Sequence, residues 1–289
     1  MELRQLEYFQ AACRLATITR AAEELHVSQP SVTSGIQSLE RELGTRLLDR
    51  GRRRVSATED GLLFLRRVDG ILALVRDAAA ELRDRRSPER GSLRIGITPM
   101  MGTIVVPSAI ARFRKAYPLV ELSIVEEGSI AIAARLAQGE LDVGVMIVSD
   151  LPAGLASTTI GRGRLLACLP PSHPLARQAA ISFDMLRDEP LILFREDTYS
   201  RRLITQECAR HRFEPRVVFS SSQVGTVIGL VRQGVGIAFF IEDIAAAQKR
   251  VAVRPLVESL ELQTGLAWNA ERYLPRAARA FIEGFAVTR

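Results

Sequence analysis

Residues 17–43, TITRAAEELHVSQPSVTSGIQSLEREL, decide how the rest of the chain is read. Ile18, Ala21, Ala22 and Leu25 are spaced to bury one face of a short helix. The pattern breaks at Leu25-His26-Val27, where Ser28 offers a side-chain oxygen to cap a second helix. Pro30 falls in that helix's first turn, where a missing N–H costs nothing. Val32, Ile36, Leu39 and Leu43 then form one apolar stripe. Ser28, Gln29, Pro30, Ser31, Thr33, Ser34 and Gln37 lie off the stripe, toward the N-terminal end. Short uncharged polar groups beside the free amides of a helix start suit base edges and phosphate oxygens. The pair of helices fits a DNA reader or a helical hairpin with a solvated polar face, and what flanks it must decide.

Upstream, Leu6, Phe9 and Cys13 mark a third helical face, with Cys13 a small core residue. Downstream, TRLLDRGRRRVSAT (45–58) sets Arg46, Arg50, Arg52, Arg53 and Arg54 against Asp49 alone. Apolar residues on both sides of Gly51 predict a hairpin with an arginine-rich tip. Such a wing places cations over the phosphate backbone or in the minor groove. Thr58 caps a long helix reaching about residue 86, and Leu65, Val68, Leu72, Val75, Ala79 and Leu82 recur at heptad spacing. On a helix joining two domains that stripe predicts a partner helix, and hence two readers on one duplex. Pro88 and Gly91 mark the boundary.

Beyond it, short apolar runs alternate with amphipathic helices. Strands at 93–97, 120–125 and 141–147 alternate with helices at 107–117 and 129–138. A second set has strands at 164–169, 191–194, 216–220 and 236–240 with helices at 201–212 and 224–233. A strand at 265–269 and a helix at 275–284 close the chain. This order predicts parallel sheets in two lobes, with a binding cleft at the carboxyl ends of the strands.

The 289 residues and net charge of +6 allow several units and a polyanionic partner. Three dispersed cysteines and three histidines predict free thiols and neither metal nor cofactor. No apolar run reaches a membrane span's length, so a cytoplasmic protein without a membrane partner is expected. No GxSxG, Walker-type loop or CxxC supports an enzyme. A solute-binding protein of the same two-lobed fold, without a transcriptional role, is the alternative.

The run AAEELHVSQPSVTSGIQSLERELGTRLLDR (21–50) resembles the DNA-binding domain of LysR-type transcriptional regulators. FRKAYPLVEL (113–122), GELDVGVM (139–146), HPLA (173–176), LVRQGVGIAFF (230–240) and PRAARAFIEGF (275–285) resemble that family's effector-domain landmarks, in order. The resemblance implies an α/β protein with an α-rich winged helix-turn-helix (1–58), a linker and dimerisation helix with hinge (59–90), and a two-lobed domain similar to periplasmic binding proteins (91–289). Lobe I would comprise 91–161 and 266–289, and lobe II 162–265. It further implies a homotetramer built as a dimer of dimers, double-stranded DNA as partner, RNA polymerase as a candidate partner, and a small effector between the lobes. Similar regulators line their pocket at positions matching Thr98, Pro99, Met100, Met101, Ser129, Ile147, Phe194, Arg195, Ser222, Gln223 and Val224. Thr98 and Ser129 would bond an anionic end, the apolar residues would pack its body, and Arg195 could supply counter-charge.

Ser34 stands where many such regulators carry arginine or lysine, which shifts the electrostatic share of binding to the wing. Removing the charges of Arg52 and Arg53 should weaken binding to every sequence and flatten its salt dependence. Gln29→Ala should relax selectivity at particular base pairs instead. Salt-series titrations against specific and random duplexes separate the two, and an equal loss on random DNA for Gln29→Ala would refute this division of labour.

Overall fold

The computed structural model describes residues 1–51, 54–86 and 90–286. The chain forms two compact units, Met1–Glu81 and Leu82–Arg289.

The first unit opens with α1 (Leu3–Leu15), α2 (Ile18–Glu24) and α3 (Gln29–Leu43). Thr17 caps α2 by accepting from the Arg20 amide, and Ser28 caps α3 by accepting from the Ser31 amide. His26 adopts a left-handed backbone (φ 53°) in the turn between them. Gly44, also left-handed, ends α3. Val32, Ile36 and Leu39 are fully buried, whereas Leu43, expected on the same stripe, is 40% exposed at the helix end. A short hairpin follows, β1 (Leu48–Arg50) against β2 (Val55–Ala57), antiparallel with Asp49 opposite Ser56.

Next comes α4 (Glu59–Arg86), capped as expected by Thr58, whose Oγ accepts from the Gly61 amide at 2.9 Å. The heptad stripe does not face outward as a whole. Val68 and Leu72 are buried with Leu6, Phe9 and Ile36, and Phe64 and Leu65 pack on the same core. Three short helices leave too little apolar cover alone, and the start of α4 completes it. Val75, Ala79 and Leu82 stay exposed, and so do Ile71, Leu74 and Ala78.

The second unit begins with β3 (Gly91–Ile97), α5 (Pro99–Ile104), α6 (Val106–Ala116), β4 (Val120–Glu126), α7 (Ser129–Ala137) and β5 (Val143–Ile147). As the βαβαβ order predicted, β3 pairs in parallel with both β4 and β5. The long strand β6 (Leu155–Leu169) follows, then β7 (Leu191–Phe194), α8 (Tyr199–Arg210), β8 (Val217–Ser221), α9 (Val224–Arg232) and β9 (Ala238–Ile241). The chain ends with α10 (Glu242–Ala246), β10 (Ala252–Pro255), β11 (Glu261–Asn269) and α11 (Arg276–Ala286).

Strand order β10-β6-β11-β5-β3-β4, with β9 also on β6, makes one curled sheet, while β7 and β8 pair in parallel as a separate two-stranded sheet. The strands expected at 164–169 and 265–269 are the C-terminal parts of β6 and β11, which run antiparallel over nine residue pairs. The GRGR stretch at 161–164, whose glycines suggest the crossover between the lobes, is continuous strand within β6. In the first lobe Arg94 donates from Nη2 to Asp142 Oδ1 at 2.5 Å and from its amide to Oδ2 at 2.8 Å. This paired, hydrogen-bonded charge gives the GELDVGVM motif its structural role.

The last turn of α4 belongs to the second unit. Asp84 Oδ2 accepts from the Tyr273 hydroxyl at 2.8 Å and from the Arg276 amide at 2.7 Å. A carboxylate is disfavoured near the negative end of its own helix, and the positive start of α11 offsets that.

At Gly61 an added Cβ would lie 2.0 Å from the Leu47 carbonyl oxygen. Backbone cannot give way as a flexible side chain can, so Gly61→Ala should lower stability by about 1–3 kcal/mol. Urea denaturation of the full chain measures the loss, and an unchanged midpoint would contradict this packing.

Candidate functional site

Two regions gather polar groups on ordered scaffolds, one in each unit. In the first unit, Ser28, Gln29, Pro30, Ser31, Ser34 and Gln37 are exposed along α3, and Thr33 is half-buried. Ser28 and Ser31 join hydroxyls at 2.7 Å, and Ser34 returns its hydroxyl to the Ser31 carbonyl at 3.2 Å. These serines thus serve the cap and the helix first. The Gln29 Oε1 accepts from Thr19 at 3.5 Å, and the amide nitrogen of this exposed side chain remains a donor.

A concavity of about 790 Å³ separates α3 from the hairpin, with Gln37, Arg41, Arg46 and Asp49 on its walls. Sequence reasoning missed Glu40. Its Oε1 accepts from the amides of Leu47 (2.9 Å) and Leu48 (3.1 Å), fixing the start of β1 to the helix. The Val55 amide donates to Ala16 O at 2.9 Å and anchors the returning strand. Glutamate in an otherwise amphipathic helix signals only a solvated face; its backbone partners lie seven and eight residues on, beyond any helical spacing. Arg54 is exposed, Arg50 sits in β1 by its backbone, and Arg52 and Arg53 lie outside the described residues.

In the second unit, Thr98, Pro99, Met100, Ser129, Ile147 and Phe194 line one small cavity. Its volume is about 20 Å³, room for a single water. Thr198, Tyr199 and Ser200 complete the lining and were not anticipated. The helix predicted to start at 201 starts at Tyr199 with Thr198 as its cap, and that two-residue error concealed them. Met101 belongs to the core, at 1% exposure. Arg195 is 68% exposed, with Nε 3.9 Å from Asp197 Oδ1. Gln223 is exposed at the start of α9, Ser222 is half-buried and Val224 is buried; none of the three lines the cavity.

The cavity is small because the walls touch. The Tyr199 amide donates to Ser129 Oγ at 2.8 Å, and the Ile130 amide donates to Asp197 O at 3.0 Å. The Gly128 amide donates to Asp197 Oδ2 at 3.1 Å. The starts of α7 and α8 therefore meet face to face: the Ser129 hydroxyl holds the opposite wall, while Thr98 turns its own to the Val145 carbonyl of the neighbouring strand.

The thiols are no reactive centre. Burial pushes Cys13 and Cys168 up to about 12 and Cys208 up to about 11. Asp69 adds to the rise at Cys13. Among the described residues no group of three or more metal-binding side chains occurs, and no helix is long and apolar enough to cross a membrane.

A winged helix-turn-helix followed by a long helix and a two-lobed α/β domain defines a class of regulatory DNA-binding protein. Residues 3–62 match the family described as bacterial regulatory helix-turn-helix protein, lysR family, and residues 86–286 match the LysR substrate binding domain. The chain belongs to the LysR family of transcriptional regulators. It is 34% identical to the HTH-type transcriptional regulator YwbI of Bacillus subtilis, over 98% of this chain and 95% of that one. It is 33% identical to YnfL of Escherichia coli, covering 97% and 96%. A full-length OxyR from Pseudomonas aeruginosa superposes with TM-score 0.72 at 23% identity, covering 99% of this chain and 95% of that one. CbnR in complex with its target DNA gives 0.65 at 23% identity, covering each chain fully.

With the thiolate as the reactive form, such displaced thiols should be slow nucleophiles. Less than one thiol per chain should react with a disulfide reagent within minutes at pH 8, and all three after denaturation. Rapid native labelling would contradict the burial.

Proposed function

We propose that this regulator binds double-stranded DNA as a dimer, through α3 and the wing, and that a small anion bound between the lobes modulates it. The observation that carries the reading is the joint geometry of α3 and the hairpin. Short polar groups and a free Gln29 amide line the exposed N-terminal half of α3, and Glu40 holds a basic hairpin beside it across the concavity. Helix and hairpin together can contact base edges and the flanking phosphates. The complex of CbnR with DNA supports the same use of this fold.

Dimerisation rests on the exposed part of α4. Ile71, Val75, Ala78 and Leu82 follow spacings of four, three and four, with Leu74 and Ala79 beside them. Leu74 is 63% exposed and Leu82 60%, more apolar surface than a solvated helix retains without a partner. Leu65, Val68 and Leu72 belong to the chain's own core, so the seam is shorter than the heptad pattern suggested. A tetramer would pair two such dimers, act in the cytoplasm and meet RNA polymerase at the promoter.

For the effector, support comes from the hydroxyls of Thr98 and Ser129 and the start of α7, with Met100, Ile147 and Phe194 as apolar walls. A small carboxylate with a short apolar body suits this lining.

The full chain should bind its own upstream DNA selectively and with strong salt dependence. Val75→Asp with Leu82→Asp, both on exposed positions, should yield monomers by analytical ultracentrifugation and weaken specific DNA binding at least tenfold. Dimers that persist in the double variant would move the interface elsewhere; wild-type binding indifferent to sequence at moderate salt would overturn the DNA-reading role.

A further inference from the structure

The contact that closes the cleft is made by a carboxylate at the very helix start expected to receive one. Asp197 Oδ2 accepts from the Gly128 amide at 3.1 Å, and the Asp197 carbonyl accepts from the Ile130 amide at 3.0 Å. Gly128 and Ile130 flank the first residue of α7, where the helix presents unpaired donors and positive potential. We propose that Asp197 is an internal anion which competes with the effector for the start of α7, and so sets both the charge and the affinity of effectors the cleft accepts. This rests on the reading of the cleft as the seat of a small anion.

Three observations point the same way. First, a cavity of about 20 Å³ cannot hold an organic effector, so binding requires the walls to part, and the bonds at the cavity itself are those of Asp197 and Ser129. Second, the approach is built for closeness. A Cβ on Gly128 would lie 2.2 Å from the Asp197 carbonyl oxygen and 2.4 Å from its Cγ. Only glycine at 128 lets the opposite wall come this near. Third, the carboxylate is loosely held. Its Oδ1 is buried and accepts no hydrogen bond among the described residues, and Arg195 Nε stands 3.9 Å away on a side chain that is 68% exposed.

An arriving carboxylate could take over the Gly128 and Ile130 donors and the Ser129 hydroxyl that now serves Tyr199. Asp197 would then swing toward water, where Arg195 is placed to receive it. A neutral ligand would gain no charge-assisted bonds at the α7 start to offset the loss of Asp197. The residue therefore filters effectors by charge and keeps the empty cleft shut.

Two measurements on the full chain test this, with butyrate and its uncharged amide, butyramide, as matched probes. Without any probe, amide exchange at Gly128, Ile130 and Tyr199 should be slow in the wild type and at least tenfold faster in Asp197→Ala. Equal exchange would overturn the latch. By calorimetry, Asp197→Ala should bind butyrate at least tenfold more tightly than the wild type, with a smaller gain for butyramide, which cannot replace the lost charge at the start of α7. Asp197→Asn, which keeps size and one acceptor, should fall between them and guards against a folding defect. Equal butyrate affinity in wild type and Asp197→Ala would refute the competition while leaving the anionic reading standing. Faster exchange without butyrate binding to any of the three proteins would refute the anionic reading and the competition with it.

Discussion

Everything in the effector domain depends on the antiparallel pairing of β6 with β11. Both strands pass from one lobe to the other, so each lobe's sheet is completed by residues of a shared ribbon. At Thr264 and Gly265 the register shifts, and a bulge of this kind bends a strand and adds twist. Gly265 makes the close approach possible, since a Cβ there would lie 2.3 Å from the Thr158 carbonyl oxygen. The ribbon gives the lobes a common axis, while at the cavity they are held by a few replaceable hydrogen bonds.

How much of this could be read in the residues depends on how local the determining interaction is. The α2–α3 turn was legible because Ser28, Pro30 and the apolar stripe act within one or two helical turns. The βαβαβ order of the first lobe was legible for the same reason. The strand β10 and the short helix α5 were not, since β10 gains its partners from β6 more than eighty residues away. The glycines of GRGR suggest the crossover between lobes without showing that it is strand, and Gly161 and Gly163 sit in the ladder opposite Thr264 and Leu262. Long-range pairing overrides a weak local preference.

The cleft shows the same division. Six of the residues that the family resemblance implied do converge on the cavity. Thr198, Tyr199 and Ser200 escaped notice through a helix start misplaced by two residues. The heptad on α4 illustrates a different limit. Periodicity shows that an apolar face exists without saying what covers it, and the N-terminal core takes Val68 and Leu72 before any partner can. Glu40 and Asp197 share a further property: each is a carboxylate whose partners are backbone amides, and amides carry no sequence signature.

Asp84 gives the chain's modularity an unexpected boundary. The match to the LysR substrate binding domain begins at residue 86, yet the side chain that caps α11 comes from residue 84, inside the preceding helix. A recombination event that exchanged effector domains at the linker would separate Asp84 from Tyr273 and the start of α11. Domain shuffling among such regulators is thus better tolerated when the crossover falls upstream of Leu82, so that the last turn of the helix travels with the domain it serves.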